Sequence, residues 1–94
     1  MPKKYGRRFE PVDPDMAHDL GLSPAYLHAT LVNIGKNSPK NANGFFECET
    51  EYLCTRTGFS RWTVIRSRST LEDNELIEFR QGLNQNHKNQ YKIK

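Results

Sequence analysis

Apolar residues recur along the chain in two rhythms, and the switch between them divides it into elements. Leu27, Leu31 and Ile34 stand at i, i+4 and i+7 with Ala25 and Val32 nearby, so residues 24–34 read as a core-facing helix. Ser23-Pro24 supplies its start signal and Gly35 is expected to end it. The same signal occurs just upstream, where Asp13 is a candidate N-cap followed by Pro14 in the first turn. Met16, Ala17 and Leu20 then give a short helix one apolar side, Gly21 closes it, and Leu22 is placed to pack back. The segment FEPV ahead of it suits a short extended stretch.

Residues 36–44, KNSPKNANG, carry turn chemistry and no period, which predicts a loop. FFECE follows, short, aromatic and bounded by Gly44, as a strand would be. Thr50 opens a helix through Arg56 with Tyr52 and Leu53 as its apolar surface. Gly58 stops it, and Ser60 caps the next helix three residues before Thr63. The period then falls to two: Ile77 and Phe79 alternate with Glu78 and Arg80, Tyr91 and Ile93 with Lys92 and Lys94. Joined by the polar stretch LNQNHKNQ, these make a hairpin with a long tip. The predicted order is helix, helix, strand, helix, helix, hairpin, in one domain without internal repeats.

Charge sharpens this picture more than composition does. Ninety-four residues with 35% hydrophobic content are enough for one small core, and 14 Lys+Arg against 11 Asp+Glu leave only +3. The distribution is uneven. Residues 52–71 hold four arginines (56, 61, 66 and 68) and no carboxylate, whereas Glu72, Asp73, Glu75 and Glu78 follow at once. Lys3, Lys4, Arg7 and Arg8 gather in residues 1–8, which lack an apolar pattern and read as a flexible basic arm ahead of a domain over 9–94. A basic tail beside a basic helix is the footprint of a polyanion binder; an ordinary solvated surface is the alternative.

Other chemistry finds little support. No apolar run approaches the roughly 20 residues of a membrane span, and no signal-peptide pattern is seen. Cys48 and Cys54 lack the second Cys/His pair of a zinc site, a disulfide between them stays open, and a reducing cytoplasm is the simpler setting. His18, His28 and His87 are scattered, and no Ser or Cys has a base at a recognised spacing. No enzyme activity, metal, cofactor or small-molecule substrate is expected.

The stretch TEYLCTRTGFSRWTVIRSRSTLEDNELI resembles the helix-turn-helix of winged-helix DNA-binding domains. Leu53 and Cys54 match that family's Leu-Ala pair, and Gly58 its turn glycine. Ser60, Thr63 and Val64 match the start of its recognition helix, and Leu71, Leu76 and Ile77 the exit into its wing. The resemblance extends over residues 10–93. PVDPDMAHDLGLSP is most similar to the N-terminal domains of phage and plasmid replication initiators and replisome organisers. The chain departs at Glu75, where the family usually has glycine, and at Arg68 and Asn74, where it has apolar residues. The resemblance implies an α+β winged helix, a helical core with a C-terminal β-hairpin wing. It also implies sequence-specific binding of double-stranded DNA, in replication initiation of a phage, plasmid or other mobile element. A transcriptional regulator of the same fold, or an interaction module in a replication or conjugation assembly, are the alternatives.

At 100° per residue, Ser67, Arg68 and Leu71 fall within about 60° of Val64 and are expected to face the core. Trp62, Arg66 and Ser69 fall opposite, with Ile65 beside them and Arg61 at the N-terminal edge. In a helix-turn-helix that face enters the major groove, where an arginine fork suits guanine O6 and N7. Thr63 and Ser69 are candidates for phosphate or base contact, and Ser60 marks a helix start whose N–H groups suit a phosphate. Arg68 is expected to pack its stem and pair with Glu72 or Glu75. Trp62 and Ile65 call for a cover: thymine methyls, a partner protein or a second copy of the chain, unless Trp62 folds back onto Tyr52 or Phe59. Asn86, His87 and Lys88, with Asn84, Gln85 and Asn89, form a donor-rich wing tip for phosphates or a minor groove.

Overall fold

Asp13 begins the ordered helices as a true N-cap: its Oδ1 accepts from the N–H groups of Asp15 (2.9 Å) and Met16 (3.4 Å). The computed structural model describes residues 12–83 and 88–94. Helix α1 spans Pro14–Leu20, with Pro14 in its first turn. Gly21, at φ 103°, closes α1 and opens α2 (Leu22–Lys36): its N–H donates to Ala17 O at 3.0 Å and its own carbonyl accepts from Ala25 at 3.2 Å.

Helix α2 therefore starts before Ser23-Pro24 and does not stop at Gly35 as expected; it runs through to Lys36. The reason lies outside the helix. A Cβ at Gly35 would sit 2.9 Å from Phe46 Cε1, so this glycine serves close approach of a buried ring rather than helix termination. Termination falls to side chains beyond it, with Ser38 Oγ donating to Ile34 O (2.7 Å) and Lys40 Nζ to Gly35 O. Asn41 Oδ1 then accepts from the N–H groups of Asn43 and Phe45, shaping the predicted loop.

Three antiparallel strands, β1 (Phe46–Glu47), β2 (Ile77–Arg80) and β3 (Gln90–Ile93), form a sheet in the order β1-β3-β2. Tyr91 faces Phe46 on one side and Phe79 on the other, which fixes the register. Between β1 and β2 lie α3 (Thr50–Thr57) and α4 (Arg61–Asp73), the predicted helix-turn-helix. Gly58 is left-handed at φ 79° and donates to Cys54 O at 2.8 Å, and Ser60 Oγ accepts from Thr63 N at 3.1 Å.

The core is where the helical and strand periods converge. Leu27, Leu31 and Ile34 of α2 meet Leu53 of α3, Val64 and Leu71 of α4, and Phe46, Ile77 and Tyr91 of the sheet. Phe46 stacks beside Tyr91 with centroids 6.0 Å apart, and Phe79 lies 5.1 Å from Tyr91. Cys48 joins this core and both cysteines are free thiols, so the disulfide left open by the sequence does not form. Helices packed on one another, with the hairpin of β2 and β3 following them, make this a winged helix. Glu75, at the exit from α4, takes φ 60°, the left-handed conformation that explains why glycine suits the position. No helix among the described residues is long and apolar enough to cross a membrane.

Candidate nucleic-acid interface

The turn between α3 and α4 sets the angle at which α4 presents its outer face. Val64, Ser67 and Leu71 are buried, as the helical angle requires, while Arg61, Trp62, Arg66 and Ser69 are exposed. Trp62 is 66% exposed and does not fold back onto Tyr52 or Phe59. Both candidates are otherwise engaged: Phe59 meets Tyr26 edge-on with centroids 5.6 Å apart, and Tyr52 OH accepts from Arg56 Nη1 at 3.3 Å. Ile65 is half-buried, so the expected ridge of Trp62 and Ile65 is led by the tryptophan. Ser60 Oγ donates to Thr63 Oγ1 at 3.0 Å, which leaves the threonine proton available to a further acceptor.

The four arginines of the acid-free stretch are not equivalent. Arg56 Nη2 donates to Asn33 Oδ1 at 2.8 Å, tying α3 to α2. Arg61 Nη1 pairs at 2.7 Å with Glu51 Oε2, an exposed contact between the first turns of α4 and α3. Glu51 accepts from its own backbone N–H and from that guanidinium, and both hold its carboxyl below the usual range. Arg68 turns inward as predicted but does not pair with Glu72 or Glu75. Its guanidinium lies 3.9 Å above the Phe79 ring and donates to Tyr91 OH at 3.0 Å and Thr50 Oγ1 at 3.5 Å. Glu72 and Glu75 are exposed, and the buried phenol offers the better site. Burial pushes the Tyr91 phenol up, and Arg68 only partly offsets it. Arg66 alone of the four has no ion-pair or hydrogen-bond partner among the described residues.

Arg66 shares a recess of about 260 Å³ with Thr63, Ser67 and Ser23, the last from the first turn of α2. The sequence could not bring Ser23 to this group, since no period links the two helices. Lys88 is paired rather than free, with Nζ 3.1 Å from Glu49 Oε2 beside α3. Asn89 fixes the base of the wing: its Oδ1 accepts from Gly82 N (2.8 Å), its Nδ2 donates to Thr50 Oγ1 (3.3 Å) and its carbonyl accepts from Cys48 N (3.0 Å). Lys3, Lys4, Arg7 and Arg8 of the arm, most of FEPV, and Asn86 and His87 of the wing tip lie outside the described residues.

The remaining titratable candidates are structural. Burial, with Glu49 adding to it, pushes the Cys48 thiol to about 11 against the pull of Arg56, so it is not a ready thiolate. Half-burial holds His28 below the ordinary histidine value, opposed by the Asp13 carboxylate.

No family model matches the chain, and no curated protein is significantly similar to it. Among solved structures it is similar to one described as the N-terminal domain of a DNA binding protein, with a TM-score of 0.71. The match covers 96% of this chain and 76% of the other at 19% identity, a likeness of fold.

Proposed function

We propose that this domain binds double-stranded DNA by laying the outer face of α4 in the major groove. The observation that carries the reading is that face itself: a tryptophan left 66% exposed beside an arginine with no partner among the described residues, on the helix after a left-handed glycine turn. A tryptophan exposed on a basic helix face suits a ligand that covers it, and thymine methyls offer an apolar cover next to phosphates that suit arginine. The DNA-binding description of the structural neighbour points the same way. The domain acts by binding rather than catalysis, in the cytoplasm. Its setting is replication initiation of a phage, plasmid or mobile element, a reading supported by the Asp-Pro and Ser-Pro helix starts ahead of the core. The same exposed Trp62 favours a second reading, a contact with another protein or a second copy of the chain.

Titration of duplex and single-stranded DNA at two salt concentrations, with Trp62→Ala alongside, tests this. Duplex binding is expected to weaken steeply with salt, and Trp62→Ala to weaken it by about tenfold or more without changing the size of the free protein. Unchanged duplex affinity, with loss of self-association or partner binding in sedimentation, would replace DNA with a protein on this face.

A further inference from the structure

Thr63, Arg66 and Ser67 stand at i, i+3 and i+4 of α4, on the flank that faces the first turn of α2. What they meet there is a helix start left open. The N-cap of α2 is Gly21, which offers no side chain, and no acid occupies the first turn. The N–H groups of Leu22 and Ser23 have no intrahelical acceptor, and Pro24 has no N–H at all. No side-chain cap and no acid of its own first turn therefore answers the positive potential of this helix end.

A second observation points into the same recess. Ser67 is only 3% exposed, lines the recess, and its hydroxyl makes no hydrogen bond among the described residues. A hydroxyl that lines the recess without a protein partner among the described residues, beside a helix start that no side chain caps and a guanidinium likewise unpartnered among them, suits an oxyanion. The recess, at about 260 Å³, has room for a phosphate group, and its lining residues all carry donors.

We propose that this recess seats a phosphate, and that in the DNA complex it holds one phosphodiester of the backbone. The hydroxyls of Ser23, Thr63 and Ser67 and the first N–H groups of α2 donate to its oxygens, and Arg66 answers its charge. This rests on the DNA-binding reading and deepens it: Arg66 clamps the backbone instead of reading guanine, which leaves Trp62, Ile65 and Ser69 to meet the bases. The seat also spans α2 and α4, so a phosphate in it fixes the depth at which α4 enters the groove.

Two variants test the seat without attacking the core. Ser67→Ala removes the hydroxyl and little volume. Ser23→Asp puts a carboxylate where the anion would sit, at a helix start that favours acid, so the fold is retained. Inorganic phosphate added to the wild-type protein is expected to shift the amide resonances of Leu22, Ser23 and Ser67 saturably, and either variant to abolish this. With duplex DNA, Ser23→Asp is expected to reduce affinity at least tenfold and to lower the salt slope by about 0.9. Arg66→Ala should lower affinity equally on every sequence.

Wild-type duplex affinity in both serine variants overturns the seat, whatever free phosphate does, and leaves DNA binding standing. Loss confined to one base position in Arg66→Ala also overturns it, by returning the arginine to base reading. Saturable phosphate shifts in a protein that binds no duplex would sink the DNA reading and retain a seat for free phosphate.

Discussion

On its inner face α4 carries Arg68, stacked over Phe79 and bonded to the buried Tyr91 phenol; on its outer face it carries Arg66, which meets no partner among the described residues. The two leave one helix two residues apart, so neither propensity nor local charge separates them. Angle does. At 100° per residue they point some 200° apart, and that places one against the wing strands and the other toward solvent. The inner arginine joins α4 to α3 through Thr50 and to β3 through Tyr91. A residue type that resembles a DNA contact in the sequence is there a strut between α4 and the wing.

The largest expected effect contrasts Leu71 with Trp62. Leu71→Ala removes a side chain with no exposed surface and should cost about 2–5 kcal/mol in a chemical denaturation curve. Trp62→Ala should stay within about 0.5 kcal/mol of wild type in the same experiment. A large loss for Trp62 would mean that it stabilises the fold and that the two faces are less distinct than their exposure indicates.

The arginines give the next contrast. Arg68→Met keeps an apolar stem but leaves the Tyr91 phenol without its donor, for an expected loss of about 1–3 kcal/mol. Arg66→Met should leave the melting temperature alone and weaken duplex binding. Equal melting temperatures for the two variants would show that the link from Arg68 to the wing contributes nothing to stability.

The finest test concerns Arg61, which stands on the outer side but is held by Glu51. Glu51→Gln should release it, raise duplex affinity modestly and steepen the salt slope by less than one ion. Acid should act in the same direction on the wild-type pair. Because its own backbone N–H, and after it Arg61, holds the Glu51 carboxyl below its usual range, the pair persists until the pH falls through that lowered value. An unchanged slope in Glu51→Gln would place Arg61 away from the phosphates.

Much of this was legible in the sequence wherever a local rule had no competitor. Gly58 could be read as a left-handed cap, Ser60 as an N-cap, and Tyr91 and Ile93 as one side of a strand, because each depends on a few neighbouring residues. The misreadings share one cause, a contact from far along the chain. Gly35 reads as a helix stop until the Phe46 ring needs its missing side chain. Arg68 reads as a partner of Glu72 or Glu75 until Tyr91 and Phe79 arrive from the sheet. The ion pairs that Arg61 and Lys88 make with Glu51 and Glu49 were likewise beyond any local rule, since both cross between segments of the fold. The recess beside Arg66 was invisible for the same reason. Ser23 and Ser67 are unremarkable serines until α2 and α4 pack.

The order β1-β3-β2 has a consequence for the time course of folding. Both outer strands pair only with β3, so no part of the sheet exists until residues 90–93 have found their places. Tyr91 must close the long loop back to Phe46 before its ring is buried, a step whose entropic cost comes ahead of its reward. Neighbouring helices such as α3 and α4 face shorter closures than Phe46 and Tyr91 and can associate first, with β1 and β3 latching together afterwards. Tyr91→Leu should therefore speed unfolding several-fold and barely alter the refolding rate in stopped-flow experiments across denaturant. A refolding arm slowed as much as the unfolding arm is quickened would put β3 in the nucleus and make the wing an early event.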